Sequence, residues 1–311
     1  LACYIEACGG GGPESSTVIL EKDGTVTVLI GTQSNGQGHE TAYSQLVAQH
    51  LDIPMDRIRV VQGDTDKVAT GSGTGGSRSI PVGGAALNAA TGILADNLKN
   101  LASEALETSA GDLEIVDGAV RIVGTDKKLD LKAIANLPGA KAEQLSVHQS
   151  WTPPEATYPN GTHVVEIEVD PATGETQIQN YVVVDDFGVT LNPIMLQGQV
   201  HGGAAQGIGQ ALMEEIRFDS SGQMLTATFM DYALPRAIDI PNFHFETRNV
   251  PCVTNAIGVK GAGEAGAIGA CPAVMNAMVD ALNRAAGIKA IDMPATPAKV
   301  FAALRAAGYG G

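Results

Sequence analysis

Residues 17–51 read TVILEKDGTVTVLIGTQSNGQGHETAYSQLVAQHL. Apolar and polar residues alternate on either side of Asp23-Gly24, a pattern that predicts a β-hairpin with its turn at this dipeptide. The glycine-rich polar residues 31–38 predict a loop, and the apolar spacing of residues 41–51 predicts a helix. A hairpin, a polar loop and a helix therefore form the first unit of the predicted fold.

The same order of elements recurs in the second half of the chain. Residues 163–169 and 176–184 predict a second hairpin, residues 185–192 a loop, and residues 194–214 a helix. Five glycines lie within this predicted helix, and each costs about 1 kcal/mol in a helix interior. Such a helix is typical of sites where another element packs very close. The shared order favours an internal duplication, although the identity between the halves is too weak to prove one.

The remaining pattern predicts a strand at residues 58–62, a long alanine-rich helix at 82–106 and a helix at 272–286. Hairpins mixed with packed helices are typical of the α+β (mixed α/β) class. We therefore predict two subdomains, residues 1–150 and residues 151–311, each built of hairpins and glycine-rich helices.

Composition excludes several classes of function. The net charge of −15 disfavours nucleic acid as a partner, and no apolar run approaches the ~18–20 residues of a membrane span. The four cysteines form no C-x-x-C pair, which disfavours an iron–sulfur cluster and favours a reducing, cytoplasmic setting. The six histidines lack zinc-site spacing. The chain begins Leu-Ala-Cys with no signal peptide, so we expect a processed chain or one cut from a longer protein.

Three glycine-rich segments precede predicted helices, at residues 31–39, 71–79 and 261–266. The free N–H groups and partial positive charge of a helix N-terminus suit an anion, and serine hydroxyls and Arg78 in the second segment add donors. Two segments match G-x-G-x-x-G, but neither follows a strand within a βαβ unit, as a dinucleotide site requires. The absence of Gly-Lys-Ser/Thr excludes a P-loop. Tight turns without a ligand remain the alternative.

One carboxylate, Glu264, lies inside the third glycine segment. It could cap a helix N-terminus or pair with Lys260, or it could be a general base that flanking glycines leave open to a substrate.

Glutamines beside glycines are the other unusual group of residues. Their amides suit an oxo- or pterin-like ligand with many hydrogen-bonding edges, or they are simply solvated. They are Gln33, Gln37, Gln197, Gln199, Gln206 and Gln210. Asp185 and Asp186 could likewise form only a turn at a strand end.

Five motifs together resemble the molybdenum hydroxylases, the family of xanthine dehydrogenase, aldehyde oxidase and carbon monoxide dehydrogenase. They are GTQSNGQGH at 31–39, GGSRSIP at 75–81, VDDFG at 184–188 with Asn192-Pro193, GQVHGG at 198–203 with Gln206-Gly207, and GVKGAGE at 258–264. Their order is that of the family, across nearly the whole chain. The resemblance is to the C-terminal half of the molybdopterin-binding large subunit.

The resemblance implies an oxidoreductase that hydroxylates an aldehyde or N-heteroaromatic carbon with water-derived oxygen. It implies Glu264 as the catalytic base and Gln37 as the residue beside the metal. The implied cofactor is molybdopterin, in its cytosine dinucleotide form, with a molybdenum that the cofactor rather than the protein holds. The implied cofactor-binding residues are Gln33, Gly36, Gly38, His39, Gly76, Ser77, Arg78, Ser79, Asp186, Gln199, Gly261 and Gly263.

The resemblance also implies partners. They are a chain or segment supplying the N-terminal half of the large subunit, a 2Fe–2S subunit, an FAD subunit and a small-molecule substrate. The chain is then one part of a split large subunit or an excised fragment. Two other hypotheses stay open: a non-catalytic nucleotide- or pterin-binding module, which includes an inactive fragment, and an NAD-dependent enzyme, which would need a βαβ unit.

Overall fold

The computed structural model describes residues 1–309, which contain eleven β-strands and seven α-helices. The strands are β1 (Ala2–Ile5), β2 (Glu14–Leu20), β3 (Val26–Ile30), β4 (Ile58–Val61), β5 (Leu113–Val116), β6 (Ala119–Ile122), β7 (Lys128–Asp130), β8 (Ser146–Trp151), β9 (Asn160–Val169), β10 (Thr176–Asp186) and β11 (Phe243–Thr247). The helices are α1 (His39–Leu51), α2 (Ala85–Leu106), α3 (Leu131–Ala135), α4 (Ala142–Leu145), α5 (Pro193–Leu212), α6 (Ala265–Ala286) and α7 (Pro297–Ala306).

The first sheet has the order β4-β3-β2-β8. Strands β2 and β3 form the predicted hairpin, with Val18 opposite Val28. Strand β4 runs parallel to β3, and β8 runs antiparallel to β2. Alternate residues of β2 and β3 are buried, as expected when one face of a sheet packs on a core. That core also takes in apolar residues of α1 and α2. A separate antiparallel sheet, β5-β6-β7, lies within the same half of the chain.

The second sheet, β1-β9-β10-β11, repeats the strand directions of the first. Strands β9 and β10 form the second predicted hairpin, β11 is parallel to β10, and β1 is antiparallel to β9. The duplication suggested by the sequence is therefore matched by the topology. The edge strands are exchanged, however, because β1 precedes the first hairpin in the chain yet lies in the second sheet. The predicted subdomain boundary at residue 150 stays a prediction. Strand β1 precedes that boundary in the chain but belongs to the sheet of the second half.

The glycine-rich helix α5 packs against α6 at very short range. A Cβ atom at Gly207 would lie 2.6 Å from the Cβ of Ala270, and one at Gly266 would lie 2.3 Å from the carbonyl oxygen of Val200. Close packing, which the glycines of α5 predicted, is thus confirmed. The predicted start of the last long helix was wrong, because α6 begins at Ala265 and Pro272 lies inside it. Tertiary packing of its first turns outweighs the local signal of a proline, which favours a helix start.

Helix α6 is long and apolar enough to cross a membrane when judged by length and composition alone. Its apolar residues are interrupted by Asn276 and Asp280, so it is not an uninterrupted apolar run of the kind that the sequence lacks. In the fold, 44% of its most apolar window is buried, and its buried residues belong to the core shared with α5 and the second sheet. A core helix of this composition meets the same criterion.

Candidate functional site

Four loops at the carboxyl ends of strands meet at one cleft. They follow β3, β4, β10 and β11, and each leads into a helix. Parallel neighbouring strands place their carboxyl ends at the same edge of a sheet, where ligands of open α/β sheets bind. Each sheet here contributes one such pair, β3 with β4 and β10 with β11. All four loops line a cleft of about 580 Å³, a size typical of small-molecule sites.

The first two loops touch each other through their glycines. A Cβ atom at Gly31 would lie 2.3 Å from the Cα of Gly71, so only glycine fits at this crossing. The backbone N–H of Gly73 donates to the carbonyl of Gly31 at 3.1 Å. Thr74 Oγ1 donates to the carbonyl of Gln33 at 2.6 Å and accepts from its backbone N–H at 3.2 Å. The backbone of Gln33 therefore joins the two loops, and Gln33 is exposed outside the cleft rather than part of its lining.

Two helices present uncapped N-termini beside the cleft. Gly38 precedes α1 in the left-handed conformation (φ 77°), and Glu264 precedes α6; neither N-cap position carries a side-chain capping hydrogen bond. Glu264 thus lies at the N-terminus of α6, as the cap interpretation requires, but its side chain makes no capping hydrogen bond there. A third helix, α5, is capped by Asn192, whose side chain accepts from the N–H of Met195 at 3.0 Å. The backbone donors at the starts of α1 and α6 suit an anion in the cleft.

The exposed Glu264 carboxylate lines the cleft. Ser77 Oγ donates to Glu264 Oε2 at 3.4 Å. Ser77 itself has φ 52°, a conformation that costs energy for a residue other than glycine and is enriched at functional sites. A Cβ at Gly263 would lie 2.9 Å from Ser77 Oγ. The third glycine segment thus brings Glu264 against the second segment and leaves the carboxylate accessible.

Nine of the predicted site residues line the same cleft. They are Gly36, Gln37, His39, Gly76, Ser77, Ser79, Gln199, Gly263 and Glu264. Gln199 Nε2 donates to the carbonyl of Gly263 at 2.7 Å, which joins α5 to the third glycine segment. A Cβ at Gly38 would meet Met195, another residue of the cleft, at 2.5 Å. The structure brings these residues together, and their roles toward a cofactor stay predictions.

His39 is the histidine of the cleft. It is almost fully buried, and its Nδ1 lies 3.2 Å from Gln62 Oε1. Burial lowers the pKa of His39, while the contact with Gln62 and the charge of Glu40 act in the opposite direction. The ring is therefore neutral at pH 7. It offers a hydrogen bond rather than a positive charge to a ligand.

Arg78 does not supply the anion donor that the sequence predicted. Its side chain is 7% exposed, and Nη1 pairs with the buried carboxylate of Glu14 at 2.5 Å. Nη2 donates to the carbonyl of Pro13 at 2.9 Å. The guanidinium is thus used within the protein and braces the second loop against β2. Gly261 also lies behind the lining, where a Cβ would meet the Cβ atoms of Cys8 at 2.6 Å and of Ser77 at 2.7 Å.

Asp186 is likewise a brace rather than a cleft residue. Its Oδ1 accepts from the N–H groups of Gly188 and Val250, and its Oδ2 accepts from Lys260 Nζ at 2.6 Å. Partial burial opposes the shift, but the hydrogen bond from Lys260 lowers the pKa of Asp186 below its ordinary value. The interpretation of Lys260 as an ion-pair partner of Glu264 is wrong for the same reason. Asp186 fixes the turn after β10, as the structural alternative predicted.

Several cleft residues were missed from the sequence. The loop after β10 contributes Thr190 and Asn192, and its position in the repeated plan, equivalent to residues 31–38, was the signal that could have found it. Cys8 lies beside the third glycine segment, since a Cβ at Gly261 would lie 2.6 Å from the Cβ of Cys8 and 2.7 Å from that of Ser77. No local signal marks Cys8, because it approaches the site only through the exchange of β1 into the second sheet.

Protein ligands for a metal ion are absent from this part of the molecule. Within residues 1–309 no three His, Cys, Asp or Glu side chains lie together as a metal site would require. Hydroxyl, amide and backbone N–H donors around one exposed carboxylate fit a large, oxygen- and nitrogen-rich anionic group.

Comparison with known proteins gives consistent matches. A family profile described as molybdopterin cofactor-binding domain matches residues 1–241. Over 301 residues the chain is 35% identical to the nicotine 6-hydroxylase large subunit of Paenarthrobacter nicotinovorans, covering 94% of this chain and 37% of that protein. It is 33% identical over 300 residues to the carbon monoxide dehydrogenase large chain of Hydrogenophaga pseudoflava, again covering 94% and 37%.

A solved structure shows the same fold. Reconstituted carbon monoxide dehydrogenase from Oligotropha carboxidovorans matches with a TM-score of 0.89 and 32% identity, over 99% of this chain and 40% of that chain. The predicted mixed α/β class is confirmed by this likeness. The chain spans little more than a third of the length of the curated relatives it matches.

Proposed function

The chain belongs to the family of molybdopterin cofactor-binding domains, as its motifs predicted, and we propose that it is the part of a molybdenum hydroxylase large subunit that binds molybdopterin and carries the catalytic base. One observation carries the proposal. Four loops at helix N-termini surround a single cleft, with the exposed carboxylate of Glu264 at its wall. Donors for an anionic cofactor and a base for its chemistry thus lie together.

The cleft residues divide by what they can offer. Ser77 and Ser79 supply hydroxyls, Gln37 and Gln199 supply amides, and the glycine loops supply backbone N–H groups. These groups bind and orient the cofactor. When bound, molybdopterin with its molybdenum supplies a two-electron redox centre. The cytosine dinucleotide form of the cofactor follows from the resemblance to molybdenum hydroxylases and belongs to the same proposal, as do the 2Fe–2S and FAD subunits.

Glu264 acts as the general base in this proposal. Within residues 1–309 it forms no ion pair, so its charge is not neutralised by a lysine or arginine. Ser77 donates to Oε2, which orients the carboxylate and leaves Oε1 to accept a proton from the water-derived nucleophile. The carbon that is hydroxylated belongs to an aldehyde or an N-heteroaromatic ring. Proton transfer to a positioned carboxylate contributes about 10²–10⁴-fold to rate.

An exposed apolar segment supports the proposal that further protein completes the subunit. Residues 216–240 lie between α5 and β11, and Phe229, Met230 and Ile238 within them are 85%, 93% and 86% exposed. Large apolar side chains clustered in this way mark an interaction surface. We assign this surface to the remaining part of the large subunit, since the chain covers only 37% of the length of its relative.

The four cysteines are free thiols, in keeping with the proposed cytoplasmic location.

The test is Glu264→Gln in the assembled enzyme, with Glu104→Gln on the exposed face of α2 as a matched control. We expect unchanged molybdenum content by elemental analysis and a fall in kcat of about 10²-fold or more, while the control turns over normally. Normal turnover by Glu264→Gln would remove Glu264 as the base. Cofactor binding without any substrate oxidation, even with iron–sulfur and flavin subunits supplied, would instead identify a non-catalytic binding module. Mass spectrometry of the released nucleotide identifies the form of the cofactor.

A further inference from the structure

One buried tyrosine lies beneath the first two loops of the cleft. Tyr43 belongs to α1 and is fully buried, as is Thr32 of the first loop. The Tyr43 hydroxyl donates to the backbone carbonyl of Ser79 at 2.9 Å and lies 2.8 Å from Thr32 Oγ1. A phenol has one proton and Ser79 accepts it, so the Thr32 hydroxyl must donate to Tyr43. Tyr43 therefore joins a residue of the first loop to a residue of the second.

The same series of hydrogen bonds continues to the cleft. Ser79 Oγ lies 3.0 Å from Thr74 Oγ1. Thr74 gives its only proton to the carbonyl of Gln33 at 2.6 Å, so the Ser79 hydroxyl donates to Thr74. Gln33 is adjacent to Thr32 in the chain, and the hydrogen bonds therefore close a ring. Thr74 and Ser79 line the cleft, so the ring connects two lining residues to a buried phenol.

Close packing fixes the position of the Tyr43 hydroxyl. A Cβ atom at Gly83 would lie 3.0 Å from Thr32 Cγ2 and 3.1 Å from the Tyr43 hydroxyl oxygen. Gly83 belongs to a π-helical turn, Ser79–Gly84, that leads into α2, and such turns are frequent at functional sites. The Tyr43 ring also lies 5.5 Å from the ring of His39, which lines the cleft. The phenol is thus enclosed by parts of the protein that carry cleft residues.

Tyr43 itself cannot touch a ligand in the cleft, because it is fully buried and does not belong to the lining. Burial raises the pKa of Tyr43 above its ordinary value, so the hydroxyl keeps its proton at neutral pH. The Ser79 hydroxyl reaches the lining, but its proton goes to Thr74. Ser79 therefore offers a ligand an oxygen lone pair rather than a proton.

We propose that Tyr43 is a positioning residue for the cofactor, holding the first two glycine loops in the arrangement that forms one side of the cleft. Without the phenolic oxygen, the Thr32 hydroxyl loses its acceptor and the Ser79 carbonyl loses its donor. Buried polar groups without partners are costly, so the two loops would separate or turn to find new ones. The role toward the cofactor rests on the proposed function of the cleft.

The first test does not depend on activity. Tyr43→Phe removes the phenolic oxygen. The matched control, Tyr181→Phe, removes the hydroxyl of another fully buried tyrosine, which lies 2.9 Å from His163 Nδ1 in the second sheet and outside the cleft lining. Hydrogen–deuterium exchange of the assembled enzyme, measured by mass spectrometry, reports the opening of each segment. We expect exchange in residues 31–39 and 71–79 to be about 10-fold faster in Tyr43→Phe and unchanged in Tyr181→Phe.

The second test approaches the same hydrogen bond from Thr32 and serves also if Tyr43→Phe does not fold. Thr32→Val keeps the shape of the buried side chain but removes its hydroxyl, while Thr32→Ser keeps the hydroxyl. Elemental analysis of the diluted enzyme over time gives the rate at which molybdenum is lost. We expect this loss to be about 10-fold faster in Tyr43→Phe and Thr32→Val. Thr32→Ser and Tyr181→Phe should lose molybdenum at the rate of the unsubstituted enzyme.

Two results overturn the positioning role: exchange in the two loops that is the same in Tyr43→Phe and Tyr181→Phe, or molybdenum loss at the same rate in Thr32→Val and Thr32→Ser. Faster exchange with an unchanged rate of molybdenum loss overturns the role toward the cofactor. If the unsubstituted enzyme holds no molybdenum, the proposed function fails instead. The exchange measurement then still decides whether Tyr43 fixes the two loops.

Discussion

Replacing Gly207 by alanine tests whether the close packing of α5 against α6 requires the glycines of α5. The added Cβ would lie 2.6 Å from the Cβ of Ala270, 3.0 Å from the carbonyl oxygen of Ala267 and 3.2 Å from the N of Cys271. An ordinary contact between carbon atoms is about 3.5–4.0 Å, so the helices must separate by about 1 Å. All three atoms belong to backbone or to an alanine, and none can swing aside.

The expected magnitude is a balance of two terms. Overpacking against rigid atoms costs about 2–3 kcal/mol, and replacing a mid-helix glycine by alanine returns about 1 kcal/mol. Gly207→Ala should therefore lower the free energy of unfolding by about 1–2 kcal/mol. Gly202 is the matched control, since it lies on the same helix and a Cβ there meets nothing within 4 Å. Gly202→Ala should raise the free energy of unfolding by about 1 kcal/mol.

Urea unfolding of the two variants and the unsubstituted chain provides the measurement. The midpoints should move in opposite directions with the slope m unchanged, because neither substitution alters the surface exposed on unfolding. A Gly207→Ala variant as stable as Gly202→Ala would refute the reasoning. It would mean that α6 does not press on α5 as closely as the atoms indicate.

Two further predictions concern the braces of the loops. Arg78→Met leaves the buried Glu14 carboxylate without its partner, and we expect urea unfolding to show a loss of about 3–5 kcal/mol in the free energy of unfolding. The control, Arg236→Met, removes an exposed ion pair and should change that free energy by less than about 1 kcal/mol. Equal losses in the two variants would contradict the role of the buried pair. The pKa of Asp186 is depressed, so its contribution is present above the ordinary aspartate pKa and is lost as pH falls through the lower, folded value. Asp186→Asn should therefore have a lower free energy of unfolding than the unsubstituted chain at pH 7, and that free energy should fall less steeply below about pH 4. Parallel plots of unfolding free energy against pH for the two proteins would exclude the stabilising role of the Asp186 carboxylate.

Local signals predicted the fold better than they predicted the site. The hairpin at Asp23-Gly24 depends on residues adjacent in the chain, and the structure confirms it. The sequence motifs predict Arg78 and Asp186 as cofactor-binding residues, but both side chains form ion pairs within the protein. Local sequence does not show these pairs, because Glu14 lies 64 residues from Arg78 and Lys260 lies 74 residues from Asp186. A charged residue in a glycine loop suggests a ligand-binding site, and only the fold shows whether an opposite charge within the protein already pairs with it.

The arrangement of charges explains why one carboxylate stays available. The braces Arg78 and Lys260 are each matched by a buried acid within the protein, which fixes the loops but removes those cations from the cleft. What remains at the wall is Glu264, whose carboxylate accepts a hydrogen bond from Ser77. A cation beside a carboxylate favours its charged form and weakens it as a proton acceptor. Because Arg78 and Lys260 pair with other acids, neither of them neutralises the Glu264 carboxylate. The loops that we propose to bind an anionic cofactor can in this way also hold the proposed base, Glu264, beside it.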